Sequence, residues 1–330
     1  MHLTRQFRVR PKHPVPHPFR VLCEKGGKPC TLADIGSTRR RILIYRMMRI
    51  LGTIFAGLLG LAFGSFLNVC LSRWPEGESI VQPRSHCRQC SRTLTWWENI
   101  PLFSWLALHG RCRTCRTWIG WRYQLVEAAV AALWAIIAWR SYVAFFPLEF
   151  AAGMMFFEWV LVGLAVLDAE HLWLPDAITL PGIALGFGWW FLQGEQVGWA
   201  LHIPSTRWED AEAAGTRLLA ILAAAGLILL IRWLYWLVRR REGIGLGDAK
   251  LMALLAAWLG LPGALLAFGL GVVLGAVAAL VLLAMPSARR TTGSWALQKL
   301  PLGTFLCIGG IVSSLWGQPI LAAYLRWSGL

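Results

Sequence analysis

Four of the eight cysteines stand in two pairs, Cys87-x-x-Cys90 and Cys112-x-x-Cys115, with 21 residues between the pairs. Two thiolates three positions apart fit one side of a tetrahedral ion and a second such pair closes it, so the spacing reads as a zinc site. Four thiolates leave no coordination position open for water, which makes the expected ion structural rather than catalytic. Two disulfides or four free thiols are the competing readings. His86 adjoins the first pair, but a complete thiolate set does not need it. Cys23 and Cys30 lie in a basic N-terminal segment, while Cys70 and Cys307 sit in apolar stretches and read as packing residues.

A second set of residues carries acid chemistry. The chain has only five aspartates, and three of them stand at the ends of long apolar stretches: Asp168 in "LAVLDAEHLWLPD", Asp176 at the close of that motif, and Asp248 in "GIGLGDAKLMA". Ionisable groups at membrane depth are costly and are functional candidates by default. Asp176 follows Pro175 at a helix start and is most simply an N-cap. Asp248 could also be a cap, with Gly243, Gly245 and Gly247 forming an ordinary tight turn. Asp168 is expected at a helix C-terminus, where the dipole disfavours a negative charge, so something else must stabilise it. If Asp168 and Asp248 meet, their repulsion lets the pair share one proton, and one carboxylate can act as base while the other acts as acid. Spacing alone leaves three readings open: a catalytic dyad, an ion-coupled transport site, and plain capping.

The elements that must hold these residues are membrane helices. Of 330 residues, 57% are hydrophobic and only 15% charged, and the mean hydropathy is +0.54. Such sparse charge excludes disordered, collagen-like and small disulfide-stapled classes and points to lipid as solvent. On the scale of about 20 apolar residues per crossing, candidate spans lie near 50–72, 123–140, 144–167, 177–193, 216–238, 249–262, 263–285 and 302–325. The sixth is short. The expected fold is therefore an all-α polytopic membrane protein with about eight transmembrane helices and a small zinc-ribbon-like insertion at 73–122. A seven-helix membrane domain follows over 123–330.

Charge gives the orientation. The stretch 73–122 holds eight Arg against three Glu, 239–247 opens with Arg239, Arg240 and Arg241, and 286–301 carries Arg289, Arg290 and Lys299. The segment 194–215 has Glu195, Glu209, Asp210 and Glu212 against Arg207 alone. By the positive-inside rule the first group is cytoplasmic, which also disfavours disulfides in the four-cysteine loop. Residues 1–46 hold 11 Lys or Arg against Glu24 and Asp34, a large part of the net charge of +15. Prolines at 11, 14, 16, 18 and 29 break any helix starting there, so this segment is expected to be disordered. Met47 and Met48 directly before the first span suggest a biological start at one of them. The basic charge thus reports membrane orientation, and no nucleic-acid partner is expected.

Taken in order, these stretches resemble the type IV prepilin peptidase family, the leader peptidases and N-methyltransferases of type IV pilus and type II secretion systems. The likeness rests on "GSFLNVCLSRWP" (Gly64 to Pro75), the two cysteine pairs, "WWENIPLFSWLALHGRCRTC", "RYQLVE" (Arg122 to Glu127), "LDAEHLWLPD", "GIGLGDAKL" and "LPLGTFLCIGG". The resemblance implies a bacterial inner-membrane GxGD aspartic peptidase whose signature ends in Asp248, with Asp168 as the other catalytic aspartate. Gly245, Gly247, Lys250 and Asp176 are supporting members of its motifs. It also implies prepilin and pseudopilin substrates with a short basic leader, cut after Gly at the cytoplasmic face. The new amino terminus would be methylated from S-adenosylmethionine. No glycine-rich donor loop follows a strand pattern, and "GLLGLAFG" sits in a span where small residues serve helix packing, so the methyl-donor site stays unassigned. Departures are Gln124 where the family usually has Pro, Trp74 where Leu is common, and Thr304 in place of a frequent Pro. Asn68 is expected to make an interhelical hydrogen bond, Lys250 either to sit beside a carboxylate or to snorkel, and Arg232 to snorkel.

Overall fold

A computed structural model describes residues 32–144, 147–201, 207–241, 245–284 and 300–329. Eight α-helices follow one another: α1 (Leu32–Arg73), α2 (Phe103–Ala107), α3 (Arg122–Ala144), α4 (Leu148–His171), α5 (Asp176–Leu201), α6 (Arg207–Arg239), α7 (Leu246–Ala284) and α8 (Leu302–Ser328). The only β pairing among the described residues is two isolated bridges, His86 with Thr93 and Arg111 with Trp118. Among the described residues, six helices are long and apolar enough to cross a membrane. Their outward faces carry large apolar side chains such as Phe55, Leu58, Leu219, Leu222 and Leu280. Water would penalise such a surface and lipid does not. The chain is a multi-pass membrane protein. Arg289, Arg290, Lys299, Gly243, Cys23 and Cys30 lie outside the described residues.

Two expectations change. The segment 1–46 was expected to be disordered throughout, yet α1 begins at Leu32 and runs on through Met47 and Met48 without a break. The last proline before it is Pro29, so nothing after Leu32 prevents helix propagation. Residues 1–51 and 52–330 form two separate compact units.

The sixth and seventh expected spans are two arms of α7. Gly260 takes φ 74° and ψ 174°, a conformation open to glycine, and Pro262 removes a backbone donor two residues on, so the helix turns back there. The turn shows in what each arm touches. On the first arm Gly247 lies against Leu174 and Leu255 against Gly310, while on the second Gly263 lies against Ser313 and Gly271 against Leu306. The second arm therefore runs back down α8. Fourteen residues from Leu246 to Leu259 give a first arm of about 21 Å, short of a bilayer's hydrocarbon core of about 30 Å. It needs no lipid-facing side: Leu251, Met252, Leu254, Leu255, Ala256 and Ala257 are all fully buried. They pack against Phe157, Leu161 and Leu164 of α4, Ala224 and Ile228 of α6, and Leu306 and Cys307 of α8. At the tip, the Arg217 guanidinium of α6 donates to the Trp258 carbonyl at 3.1 Å, taking up an acceptor that the turn leaves open.

Close backbone approach joins α1 to α3. A Cβ on Gly60 would stand 2.8 Å from Ala131 Cα, and one on Gly64 2.8 Å from Glu127 Cα. "GLLGLAFG" thus serves helix packing.

Candidate active site and metal centre

Each cysteine pair sits at the mouth of a tight backbone loop, and the two loops repeat the same bonds. The Cys87 amide donates to the Arg92 carbonyl at 2.9 Å and the Ser91 amide to the Cys87 carbonyl at 2.8 Å; the Cys112 amide donates to the Thr117 carbonyl at 2.9 Å and the Arg116 amide to the Cys112 carbonyl at 3.0 Å. Ser91 and Arg116, each one residue past its second cysteine, have φ of 55° and 58°, which turns the chain back toward the sulfur. All four sulfurs lie within 4.8 Å of one another, and Cys87 Sγ stands 3.7 Å from Cys115 Sγ. Four thiolates at metal–sulfur distances of about 2.3 Å would be spaced at about 3.8 Å, so the cluster fits a tetrahedral metal. The Thr117 hydroxyl and amide beside Cys115 pull its thiol down to about 6, toward the thiolate that a metal requires. His86 hydrogen-bonds the Arg84 carbonyl and is not part of the set. Glu98 closes the segment on itself: it accepts from Arg92 at 2.6 Å and from the Thr95 amide at 2.9 Å. Chiefly through Arg92, its carboxyl is held at about 2.

The aspartates come together from three helix ends. Asp168, near the C-terminus of α4, is 5% exposed and Asp248, in the first turn of α7, is 8% exposed. The two lie within electrostatic reach of each other. Asp168 Oδ2 accepts from the Thr304 amide at 2.6 Å and lies 3.2 Å from the Thr304 hydroxyl, and the Gly303 amide also faces it. These are first-turn groups of α8, whose N-terminal dipole favours an anion. Here is the stabiliser that Asp168 had to have. Asp248 has less support, one bond from the Gly245 amide at 3.3 Å.

Glycine keeps the site tight. A Cβ on Gly303 would lie 2.9 Å from the Asp168 carboxyl and 3.0 Å from Leu174, and one on Gly247 would lie 3.2 Å from the same Leu174. Leu174 therefore bridges the α7 and α8 ends beside the carboxylates. Cys307, fully buried, lies within electrostatic reach of both aspartates and of Glu158.

The neighbouring motif residues stand outside this contact. Asp176 is the first residue of α5 and takes the Lys250 ammonium at 2.5 Å. Lys250 thus pairs with Asp176, not with Asp248, and an interhelical ion pair replaces the simple cap expected of Asp176. Asn68 makes the interhelical bond expected of it, its Nδ2 donating to the Tyr123 carbonyl at 2.9 Å. Arg232 has a partner of its own. Arg122, at the start of α3, pairs with Glu170 at 2.9 Å, so the four-cysteine segment and the aspartates share one face of the bundle.

Sequence reasoning missed Gly303 and Thr304 as holders of Asp168, although Thr304 stood out as a departure from pattern. It also missed Glu158, a carboxylate 1% exposed within α4 whose Oε1 accepts from Ser314; one acid inside "FFEWV" gives no signal. Glu127, buried and accepting from the Leu102 amide at 2.9 Å, was read only as the end of a motif.

A helical membrane bundle with a carboxylate pair and a four-thiolate module on one face has counterparts among known proteins. Residues 58–141 match the Bacterial Peptidase A24 N-terminal domain and residues 154–280 the Type IV leader peptidase family. The chain is 34% identical to a prepilin leader peptidase/N-methyltransferase of Stutzerimonas stutzeri, over 83% of this chain and 93% of that protein. It is equally similar, at 34%, to the protein of that name in Pseudomonas aeruginosa, over 82% and 93%. A type 4 prepilin-like proteins leader peptide-processing enzyme of Escherichia coli is 34% identical over 79% and 92%. No solved structure matches. The chain belongs to the type IV leader peptidase family.

Proposed function

We propose that this chain is a membrane aspartic endopeptidase that removes the short basic leader of prepilins and pseudopilins and N-methylates the amine that cleavage exposes. The names carried by its relatives support both activities. The peptidase reading rests on one observation: Asp168 and Asp248, 80 residues apart in sequence, come within electrostatic reach of each other where α4, α7 and α8 converge, with Leu174 packed against both Gly247 and Gly303.

Two backbone amides, of Gly303 and Thr304, face Asp168 and one faces Asp248, so Asp168 is the better fitted to hold the negative charge of the pair. As base it takes a proton from water as the water oxygen bonds to the scissile carbonyl carbon. Asp248, carrying the shared proton, gives it to the carbonyl oxygen. On collapse the carbon–nitrogen bond breaks, the leaving nitrogen takes the proton that Asp168 holds, and Asp248 takes back its proton from the diol hydroxyl as the carbonyl reforms, restoring the pair. Gly247 and Gly303 let the helix ends pack closely beside the carboxylates, where a side chain would collide with Leu174 or with Asp168 itself.

The ion on Cys87, Cys90, Cys112 and Cys115 is zinc in this reading, because a four-thiolate set selects a soft tetrahedral ion and closes it to substrate. S-adenosylmethionine supplies the methyl group. The arginine-rich loops support a reading with both sites at the cytoplasmic face of a bacterial inner membrane, which suits a substrate whose basic leader stays in the cytoplasm. Leaving out the short α2 and counting the two arms of α7 separately, eight helical segments accommodate that orientation.

The test is co-expression of a prepilin with Asp168→Asn and Asp248→Asn, each checked for normal membrane level. Leader removal, seen as a gel shift and by mass, is expected to fall by at least about a thousandfold in each, as for loss of one partner in an acid–base pair. Cleavage persisting in either variant would exclude the dyad, and with it this mechanism.

A further inference from the structure

One acid in the bundle has no part in the chemistry proposed above. Glu158 stands ten residues before Asp168, halfway along α4, a helix long enough to cross the membrane. It is buried among helices, and its Oε1 accepts from the Ser314 hydroxyl of α8 while its Oε2 has no partner. An acid at that depth is costly, and an oxygen left open adds to the cost. A buried polar pair is often less favourable than apolar residues of the same shape, and its best-attested use is to fix the register of two helices.

The buried side of α8 is one whose register needs fixing. It carries Gly303, Gly309, Gly310, Ser313 and Gly317, and such small residues let helices approach closely while offering few ridges against sliding. Contacts between α4 and α8 follow one antiparallel order. Asp168 takes the Thr304 amide at 2.6 Å, the Ala165 carbonyl takes the Thr304 hydroxyl at 2.9 Å, a Cβ on Gly310 would lie 3.1 Å from Leu161, and Glu158 takes Ser314. The polar contacts therefore stand at two levels, ten residues apart on each helix. At the level of Glu158 the adjacent Ser313 donates to the Gly263 carbonyl of α7 at 2.8 Å, which ties α8 to its other neighbour. A slide of one residue, about 1.5 Å, would break the bond from the Thr304 amide to Asp168.

We propose that Glu158 and Ser314 are positioning residues: their bond sets the register of α8 against α4 and so holds the first-turn amide of Thr304 on Asp168. They act through Thr304, from about 15 Å along the helix. The inference rests on the peptidase reading above.

The test is kcat and KM for leader removal, measured on the full-length protein in detergent with a purified prepilin. Glu158→Leu removes the acceptor and keeps apolar bulk; kcat is expected to fall roughly 10- to 100-fold, the range for loss of a bond to a charged group, with KM within about twofold. Ser314→Ala, a smaller change, should lower kcat to the same extent. Glu158→Gln keeps an acceptor for Ser314 and should stay within about threefold of wild type. Each variant is then combined with Thr304→Pro, which has already lost the amide bond to Asp168. There Glu158→Leu should cost less than about threefold more, because the contact that it misplaces is gone. A variant that is only less stable loses the same factor in both backgrounds, and that result would overturn the inference. So would Ser314→Ala at the wild-type rate, or Glu158→Gln as slow as Glu158→Leu. Wild-type protein that removes no leader would overturn the peptidase reading itself, whereas wild-type cleavage that these variants leave unchanged would overturn the register role alone.

Discussion

The cysteine module and the aspartate pair each join two separated pieces of chain, but they are built in opposite ways. Each cysteine loop is complete within seven residues, closed by its own backbone bonds, and the two loops need only a metal to hold them together. The aspartates have no local scaffold. Asp168 is held by residues 136 positions away, and Asp248 is positioned by a helix arm buried on every side. The difference teaches where each site fails: the module through its ion, the aspartate pair through the packing of helix ends.

The largest effect follows from removing the ion. A structural zinc site of four thiolates is worth roughly 10 kcal/mol or more of folding free energy, far beyond what Glu98 and a few turns can replace. Cys87→Ser with Cys90→Ser should drop bound zinc from one per chain to none, measured on the purified protein. Limited proteolysis should then cut within 73–122 and spare the helices. Cutting spread evenly through α4, α7 and α8 would break the comparison by showing that the two regions fold as one.

Next comes packing at the aspartates. Gly303→Ala adds a methyl group 2.9 Å from the Asp168 carboxyl, with Leu174 closing the other side. Leader cleavage should fall about a hundredfold, the scale of a displacement near 1 Å in a catalytic group, while zinc content stays at the wild-type level. Activity within threefold of wild type would show that the pair tolerates movement, and that the tight glycine contact does not position it.

How much of this was legible in the sequence follows the same division. The cysteine loops could be read because their geometry is local, and Asp168 and Asp248 could be read because acids are rare in apolar chain. The dipole argument even required a hidden partner for Asp168. It could not name Thr304, because which helix N-terminus arrives at that point depends on how α4 and α8 pack. The hairpin in α7 was half legible. "LGLPG" marks a break, but a rule of about 20 residues per crossing cannot distinguish a buried arm from a lipid-facing span. The early start of α1 went unread because prolines ending at Pro29 were extended to the residues after them. Glu127 and Asn68 were visible as polar residues, but only the fold shows that Glu127 takes the Leu102 amide and that Asn68 reaches the Tyr123 carbonyl.

Thr304 gives a smaller and more selective test. Thr304→Pro removes the amide that donates to Asp168 at 2.6 Å, and proline is tolerated in a first helical turn. A hydrogen bond to a charged group is worth about 1.5–3 kcal/mol, so kcat/KM for leader removal should fall by roughly 10- to 100-fold. Thr304→Val keeps the amide and loses the hydroxyl, which donates to the Ala165 carbonyl at 2.9 Å and lies 3.2 Å from Asp168, and should cost less than about tenfold. Equal losses in the two variants would mean that the amide is not the main support of Asp168.

The smallest expected effect lies in the module and depends on pH. Arg92 and the Thr95 amide hold the Glu98 carboxyl at about 2, against an ordinary value of 4.5. A carboxyl lowered by folding adds stability wherever it is ionised in both states. That contribution is complete above 4.5 and is lost as pH falls toward 2. Glu98→Gln should therefore lower the melting temperature at pH 7 by a few degrees at most, because Arg92 is partly exposed and such pairs are weak. The gap between variant and wild type should close steadily on acidification below 4.5. Zinc-loaded protein is the form to compare above the pH at which the thiolates protonate and the ion leaves. A gap that widened on acidification would mean that Glu98 is held in its neutral form, and that this end of the module is organised around something other than Arg92.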